Sequence, residues 1–109
     1  MISEKKVERA LEILIDREAE GAKARAANEY LDDMGKVILA KLMMESNEKS
    51  AAAKEIYARA HPAYAEHLEQ KRAIAETDYR FRDKKAAACA IIDIWRTEQS
   101  NARGAGKIG

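Results

Sequence analysis

Apolar residues recur at three- and four-residue steps along the stretch between Pro62 and Asn101. This spacing puts them on one side of an α-helix, so the stretch predicts a single long helix. The chain's only tryptophan, Trp95, lies near the end of it, and so large a side chain has to be covered by another element. Whatever else folds is therefore expected to pack along this helix.

The first part of the chain carries a second helical pattern. Ser3 is of a residue type that caps helices, and apolar or small residues follow at helical spacing from Val7 to Leu42. We predict one uninterrupted helix to about Met44. The middle of this helix is built from small residues, which allow a bulky neighbour to approach: Ala19, Gly21, Ala22, Ala24, Ala26 and Ala27.

A break and a short helix are predicted between these two long helices. Residues 46–50 are of types that form turns or cap helices. Ser50 or Asn47 is positioned to cap a helix from Ala51 to Ala60. Pro62 then either ends that helix or occupies the first turn of the next one.

These elements predict an all-α fold, a long antiparallel helical hairpin with a short connecting helix. Pairing large with small side chains gives a register in which the numbers of facing residues sum to about 103. Two helices leave apolar flanks uncovered, so we expect a homodimer, in which a four-helix arrangement would cover them. The predicted structural core consists of Leu11, Leu14, Ile38, Leu68, Phe81, Ile92 and Trp95.

The expected domain organisation is a single helical domain at 1–103 and a disordered tail at 104–109. Hydrophobic residues make up 47% of the chain and charged residues 36%, which excludes the disordered class. No apolar run approaches the roughly 20 residues that span a membrane, and the N-terminus lacks the apolar core of a secretion signal. With one cysteine and no intramolecular disulfide, the expected location is a reducing cytoplasm.

No pattern for catalysis, a metal or a cofactor is found, so a non-enzymatic role is expected. His61 and His67 are six residues apart, whereas metal ligands on one helix face are three or four apart. The tail lacks the strand and helix that flank a phosphate-binding loop. Cys89 has small apolar neighbours and is expected to be a core or interface thiol.

Positive charge is concentrated in the last part of the chain. Residues 1–70 carry 11 Lys/Arg against 14 Asp/Glu, whereas residues 71–109 carry 9 against 5. On one helix face, with an aromatic side chain for stacking, such a set binds nucleic acid; interleaved with Asp and Glu, it is a solvated surface. The candidate nucleic-acid or partner-binding residues are Arg72, Arg80, Arg82, Lys84, Lys85, Arg96 and Arg103.

Three segments resemble a widespread group of small uncharacterised phage and prophage proteins of about this length. They are the opening at Val7–Leu14, the segment from Ser50 that ends in Pro62-Ala63-Tyr64, and the terminal Trp95-Arg96. The resemblance implies a phage accessory protein that binds a phage or host protein, in DNA recombination, replication or counter-defence. Direct nucleic-acid binding and a structural or assembly oligomer are the two alternatives.

Overall fold

The computed structural model describes residues 1–108, with side chains as far as residue 106. Four helices follow one another: α1 (Glu4–Ile15), α2 (Glu20–Glu45), α3 (Ala51–Ala60) and α4 (Pro62–Ile108). No strand occurs among residues 1–108. Helices α2 and α4 pack against each other, so the predicted all-α hairpin with a short connecting helix is confirmed.

The predicted helix starts are confirmed at three places. The Ser3 side chain accepts a hydrogen bond from the backbone N–H of Lys6, and that of Ser50 accepts one from Ala53. Both are N-caps that satisfy an amide with no partner inside its helix. Pro62 is the first residue of α4, where its missing N–H costs nothing.

The prediction of one uninterrupted helix from Ser3 to about Met44 is wrong, because the chain breaks between α1 and α2. Asp16 ends α1 in the left-handed region at φ 48°, and Ala19 has φ 55°. The Asp16 carboxylate accepts hydrogen bonds from the N–H groups of Glu20 at 2.9 Å and Gly21 at 3.0 Å. One aspartate therefore ends α1 with its backbone and caps α2 with its side chain.

The chain divides into two compact units. Unit 1 combines residues 1–21 with α4 from Tyr79 onward, and unit 2 is Ala22–Asp78. In unit 1 the backbone N–H of Ile2 donates to Glu98, and in unit 2 Lys71 pairs with Asp32. The numbers of the paired residues sum to 100 and 103, close to the predicted 103. The predicted register is therefore confirmed inside each unit. The prediction of a single domain at 1–103 is not tested by this division.

Both long helices bury residues at the seven-residue period of a coiled coil. In α4 the buried and half-buried positions alternate in steps of four and three, and in α2 they alternate in steps of three and four. In α4 these positions are His67, Lys71, Ile74, Asp78, Phe81, Lys85, Ala88, Ile92 and Trp95. In α2 they are Gly21, Ala24, Asn28, Leu31, Gly35, Ile38 and Leu42.

The fully buried apolar residues are few and mostly small: Val7, Ala10, Leu42, Ala58 and Ala88. Two predicted core residues are not in the core, since Leu11 is 45% exposed and Leu68 is 47% exposed. Each lies one residue beyond a seam position, which Ala10 and His67 occupy instead. The other predicted core residues are half-buried: Leu14, Ile38, Phe81, Ile92 and Trp95.

The last turns of α4 differ from the expected disordered tail, because the helix continues through residues 104–108. Gly104 and Gly106 are helical, and no atom lies within 4 Å of the place where a Cβ would sit on either. Each glycine lowers helix propensity by about 1 kcal/mol relative to alanine, which did not break the helix. Gly109 lies outside the described residues.

The left-handed conformation of Ala19 gives the first testable prediction. A Cβ in this region costs about 1–2 kcal/mol, whereas glycine adopts it freely at an entropic cost of about 0.5–1 kcal/mol. Ala19→Gly should therefore leave the free energy of unfolding unchanged or raise it by up to about 1 kcal/mol. Urea denaturation measures this.

The matched control is the same change at Ala26, an exposed residue inside α2. Ala26→Gly should lower the free energy of unfolding by about 1 kcal/mol. Equal losses in the two variants would show that Ala19 is not held at positive φ in solution.

Candidate functional site

A buried polar cluster lies in unit 2, between α2 and the first half of α4. The Asn28 side-chain N–H donates to the Asp78 carboxylate at 2.8 Å. The Lys71 ammonium donates to the Asn28 backbone carbonyl at 3.1 Å and to the Asn28 side-chain oxygen, and it pairs with Asp32 at 3.0 Å. Asn28 is thus hydrogen-bonded through both ends of its amide and through its backbone. We call these four residues the polar layer.

The polar layer occupies positions where a coiled coil normally holds apolar side chains. Asp78 is 1% exposed and is the largest fully buried side chain among the described residues, and Asn28 is 6% exposed. A buried charge is tolerated only when it is hydrogen-bonded, and removing its partner is costly. Polar groups at such positions fix helix register at the expense of stability, which is the role that this geometry supports.

His67 lies in the seam four residues before Lys71. It is 5% exposed, and its ring stacks on Tyr64 with 6.2 Å between centroids. A Cβ built on Gly35 would come within 2.9 Å of the His67 Nε2 atom. Gly35 therefore makes room for the imidazole, which explains a glycine in the middle of α2 despite its low helix propensity.

A second charged cluster lies at the corner between α1 and α2, in unit 1. Lys85 reaches from α4 to the Asp16 carboxylate at 3.2 Å. Partial burial raises the pKa of Asp16, but hydrogen bonds from Lys85 and from the backbone N–H groups of Gly21 and Glu20 outweigh it. The net pKa of Asp16 lies below its ordinary value. The carboxylate is thus a structural anion that holds the corner together.

A cleft of about 340 Å³ opens beside this corner. Its cations are largely neutralised, since Arg17 pairs with Glu12 at 2.9 Å and Lys85 pairs with Asp16. Hydrogen bonds with Arg17 lower the pKa of Glu12 and raise that of Arg17. The cleft therefore offers little to an anion. Its lining is Glu12, Ile13, Asp16, Arg17, Glu18, Glu20, Phe81, Lys84 and Lys85.

The candidate basic residues do not form one patch. Successive helical residues are turned by about 100°, so Arg80 and Arg82 point to nearly opposite sides of α4. Arg80 shares a side with Lys84, whereas Arg82 shares a side with Arg96 and Arg103. The predicted set is therefore divided between two flanks of the helix.

Several members of the set are already engaged within the chain. Arg72 pairs with Glu69 at 3.1 Å and approaches Glu76 at 3.8 Å. Arg82 lies over the ring of Tyr79, 5.7 Å from its centroid. Lys85 is half-buried against Asp16, as described above. These contacts favour the solvated, mixed-charge interpretation for this stretch of α4.

Arg96 and Arg103 are the exception. Both are exposed and line a cleft of about 510 Å³ with Trp95, Gln99 and Ser100. Neither arginine has an ion-pair partner among residues 1–106. Two of the predicted basic residues thus line the same cleft as the Trp95 indole.

Residues 1–108 also include histidine, cysteine and acidic side chains outside the two charged clusters. No group of three or more His, Cys, Asp or Glu side chains within this range is arranged to hold a metal ion. Cys89, expected to be a core or interface thiol, is exposed in the single chain. None of the helices in this range has an apolar stretch long enough to cross a membrane.

Sequence reasoning missed the polar layer because it searched for apolar residues only. The signal was nonetheless present, since Lys71, Asp78, Lys85 and Ile92 are each seven residues apart. A seven-residue period that includes polar residues indicates polar positions in a coiled-coil seam.

The burial of Asp78 gives the second testable prediction. Asp78→Ala should lower the free energy of unfolding by about 3 kcal/mol, because it leaves the buried side-chain N–H of Asn28 without its acceptor. The control is Asp83→Ala, the same change at an exposed position of α4, which should stay within about 0.5 kcal/mol of the wild type. Chemical denaturation distinguishes the two; equal stability of the variants would contradict the burial of Asp78.

The lowered pKa of Asp16 gives a prediction for acid conditions. A carboxylate whose folded pKa is below its unfolded value stabilises the fold fully above the unfolded pKa, here 3.8. That contribution is lost as the pH falls from 3.8 toward the folded pKa. Asp16→Asn should therefore show a shallower fall of unfolding free energy below pH 3.8.

Lys85→Met provides the matched test, since methionine has no N–H to replace the hydrogen bond that lowers the pKa of Asp16 most. It should also reduce the loss of stability below pH 3.8, measured by thermal unfolding at a series of pH values. If the wild type and both variants lose the same amount of stability at acid pH, Asp16 and Lys85 are not paired in solution.

Comparison with protein-family models, with curated proteins and with solved structures gives no match for this chain. The phage resemblance therefore rests on the segments quoted for it, and the function has to be argued from the surfaces of the molecule.

Proposed function

We propose that the protein is a non-enzymatic accessory protein of a phage or prophage, whose helical hairpin binds another protein through its apolar faces. Helical hairpins carry many unrelated functions, so the fold does not select this role. The support comes from what the chain leaves exposed and from the absence of an organised basic surface on α4.

The observation that supports this proposal most directly is the large solvent-accessible surface area of the chain. The chain exposes 8369 Å², whereas a folded monomer of this mass, 12.2 kDa, is expected to expose about 6,000 Å². Large apolar residues contribute to this exposed surface, and contiguous exposed apolar patches mark protein interaction sites. The exposed large apolar residues are Met1, Leu11, Ile15, Tyr30, Val37, Met44, Ile56, Tyr57, Leu68, Tyr79 and Ile94.

In unit 1 the exposed pair on α1 is the candidate contact for a phage or host protein. Leu11 and Ile15 are 45% and 53% exposed and lie one helical turn apart. An amphipathic helix of a partner that lays its apolar face along this turn would bury both side chains.

The test is crosslinking in bacterial cells that express the tagged protein, followed by identification of the attached proteins. Leu11→Glu/Ile15→Glu should abolish a specific adduct, because two charges would be buried in the contact. The variant should keep its helical circular dichroism, since both positions are exposed. The control, Lys5→Glu/Arg9→Glu, repeats the spacing with two exposed polar residues and should keep the adduct.

Loss of the adduct in both variants would indicate a charge effect rather than an apolar contact. An adduct that survives in both would remove this pair from the interface. Large homogeneous assemblies without any other protein would favour a structural or assembly oligomer instead.

Direct nucleic-acid binding is the second candidate, and the cleft beside Trp95 favours it. Arg96 and Arg103 supply charge there, and the indole supplies a stacking surface. Fluorescence anisotropy with labelled single- and double-stranded DNA at low salt is the measurement. Binding that weakens steeply with salt and is lost in Arg96→Ala/Arg103→Ala, but kept in Arg72→Ala, would establish this candidate.

A further inference from the structure

We propose that a second copy of this chain docks on the outer side of α2, antiparallel to it, with Met34 on the twofold axis. The proposal rests on the proposed function in that it treats exposed apolar surface as protein-binding. It concerns a surface in unit 2, whereas Leu11 and Ile15 lie on α1 in unit 1. We call this surface the outer stripe: Ala27, Tyr30, Met34, Val37 and Met44.

The outer stripe has the spacing of a second coiled-coil seam. Tyr30, Val37 and Met44 are each seven residues apart, as are Ala27, Met34 and the charged Lys41. They lie on a different side of α2 from the seam that packs on α4. Tyr30 is 62% exposed, Val37 is 41% exposed and Met44 is 84% exposed. An exposed seven-residue repeat matches another helix better than a small ligand.

The outer stripe is complementary to itself when reversed. With Met34 facing Met34, the numbers of facing residues sum to 68, so Tyr30 lies at the level of Val37 and Ile38 of the second copy, a large side chain against smaller ones. Ala27 lies opposite Lys41 of the second copy, whose aliphatic stem can cover it. Lys23 then faces Glu45 of the second copy, so opposite charges meet at both ends. The same surface is used twice, as a twofold dimer requires.

A parallel pairing would lack this complementarity. It would place Lys23 against Lys23 and Lys41 against Lys41, which repel each other, and would set the two Tyr30 rings side by side. Opposite orientation of the two α2 helices is therefore the arrangement that the charges favour.

The surface available is sufficient for a stable dimer. A standard interface buries about 800 Å² on each partner. The chain's 8369 Å² exceeds the expected monomer value by about 2,000 Å². The stretch from Lys23 to Glu45 is about 33 Å long at 1.5 Å per residue, long enough to provide a contact of this size.

Disulfide trapping tests the geometry directly. In a Cys89→Ser background, which removes the exposed native thiol, Met34→Cys should form a disulfide-linked dimer under mild oxidation, because a residue on the axis meets its own copy. Met44→Cys should not, since ten residues on each side of the axis separate the two thiols by about 30 Å. Crosslinking of both, or of neither, would overturn the antiparallel arrangement.

Sedimentation of the intact protein tests the affinity. The wild type should sediment at twice 12.2 kDa at micromolar concentrations. Val37→Glu should raise the dimer dissociation constant on the order of tenfold or more. The control is Ile56→Glu, the same kind of change at a 70% exposed residue of α3 outside the outer stripe, which should leave the constant within about twofold.

The two proposals fail separately. A wild-type protein that stays monomeric at all concentrations, or a dimer equally stable in both Glu variants, would overturn the dimer on α2. An adduct on Leu11 and Ile15 would still support the proposed function in that case. Should Val37→Glu fail to fold, the Met34→Cys and Met44→Cys pair remains decisive, because both cysteines replace exposed or half-buried methionines.

Discussion

The hydrogen bond between Asn28 and the buried carboxylate of Asp78 is the contact on which the pairing of α2 and α4 depends. Shifting α4 by one helical turn would place Asp78 near Ala24 or Leu31, neither of which has a side-chain donor. Such a shift would take the Asn28 hydrogen bond away from a buried carboxylate, at a cost of about 1–3 kcal/mol. The small seam residues would resist it much less, since alanine and glycine fit many neighbours.

A seam made of small and polar residues limits how much apolar surface the hairpin buries. Of the fully buried apolar residues, only Val7 and Leu42 are larger than alanine. At about 25 cal/mol per Å², such a core contributes little compared with one built from leucine and isoleucine. The other large apolar side chains are exposed or half-buried, so their burial by another chain would add to the stability of this fold.

The sequence was sufficient for the fold class, the short helix α3, three helix starts and the register, because these follow from capping residues and from the matching of large and small side chains. It was insufficient at Asp16, since one aspartate in a long helical pattern resembles any exposed acidic residue until its neighbours are known. Leu11 and Leu68 were placed in the core because apolar residues were assumed to occupy the seam. Ala10 and His67 occupy those places instead.

The basic residues of α4 illustrate the same difficulty. Their number was visible in the sequence, but their division between two flanks and their partners on neighbouring turns were not. Arg72 and Lys85 each face a carboxylate that belongs to the fold. Arg82 lies over Tyr79, whereas Arg96 and Arg103 line a cleft with Trp95. The basic residues predicted from composition therefore do not form one continuous patch.

The polar layer also explains why α4 packs on one side of α2 and not on the outer stripe. The outer stripe has the same seven-residue period as the seam that packs on α4, so α4 could in principle pack on either. If α2 rotated to offer the outer stripe to α4, Asp78 and Lys71 would face Tyr30 and Met34, which cannot satisfy them both. The buried charges therefore reserve one side of α2 for α4, and this keeps the other side available for a second chain.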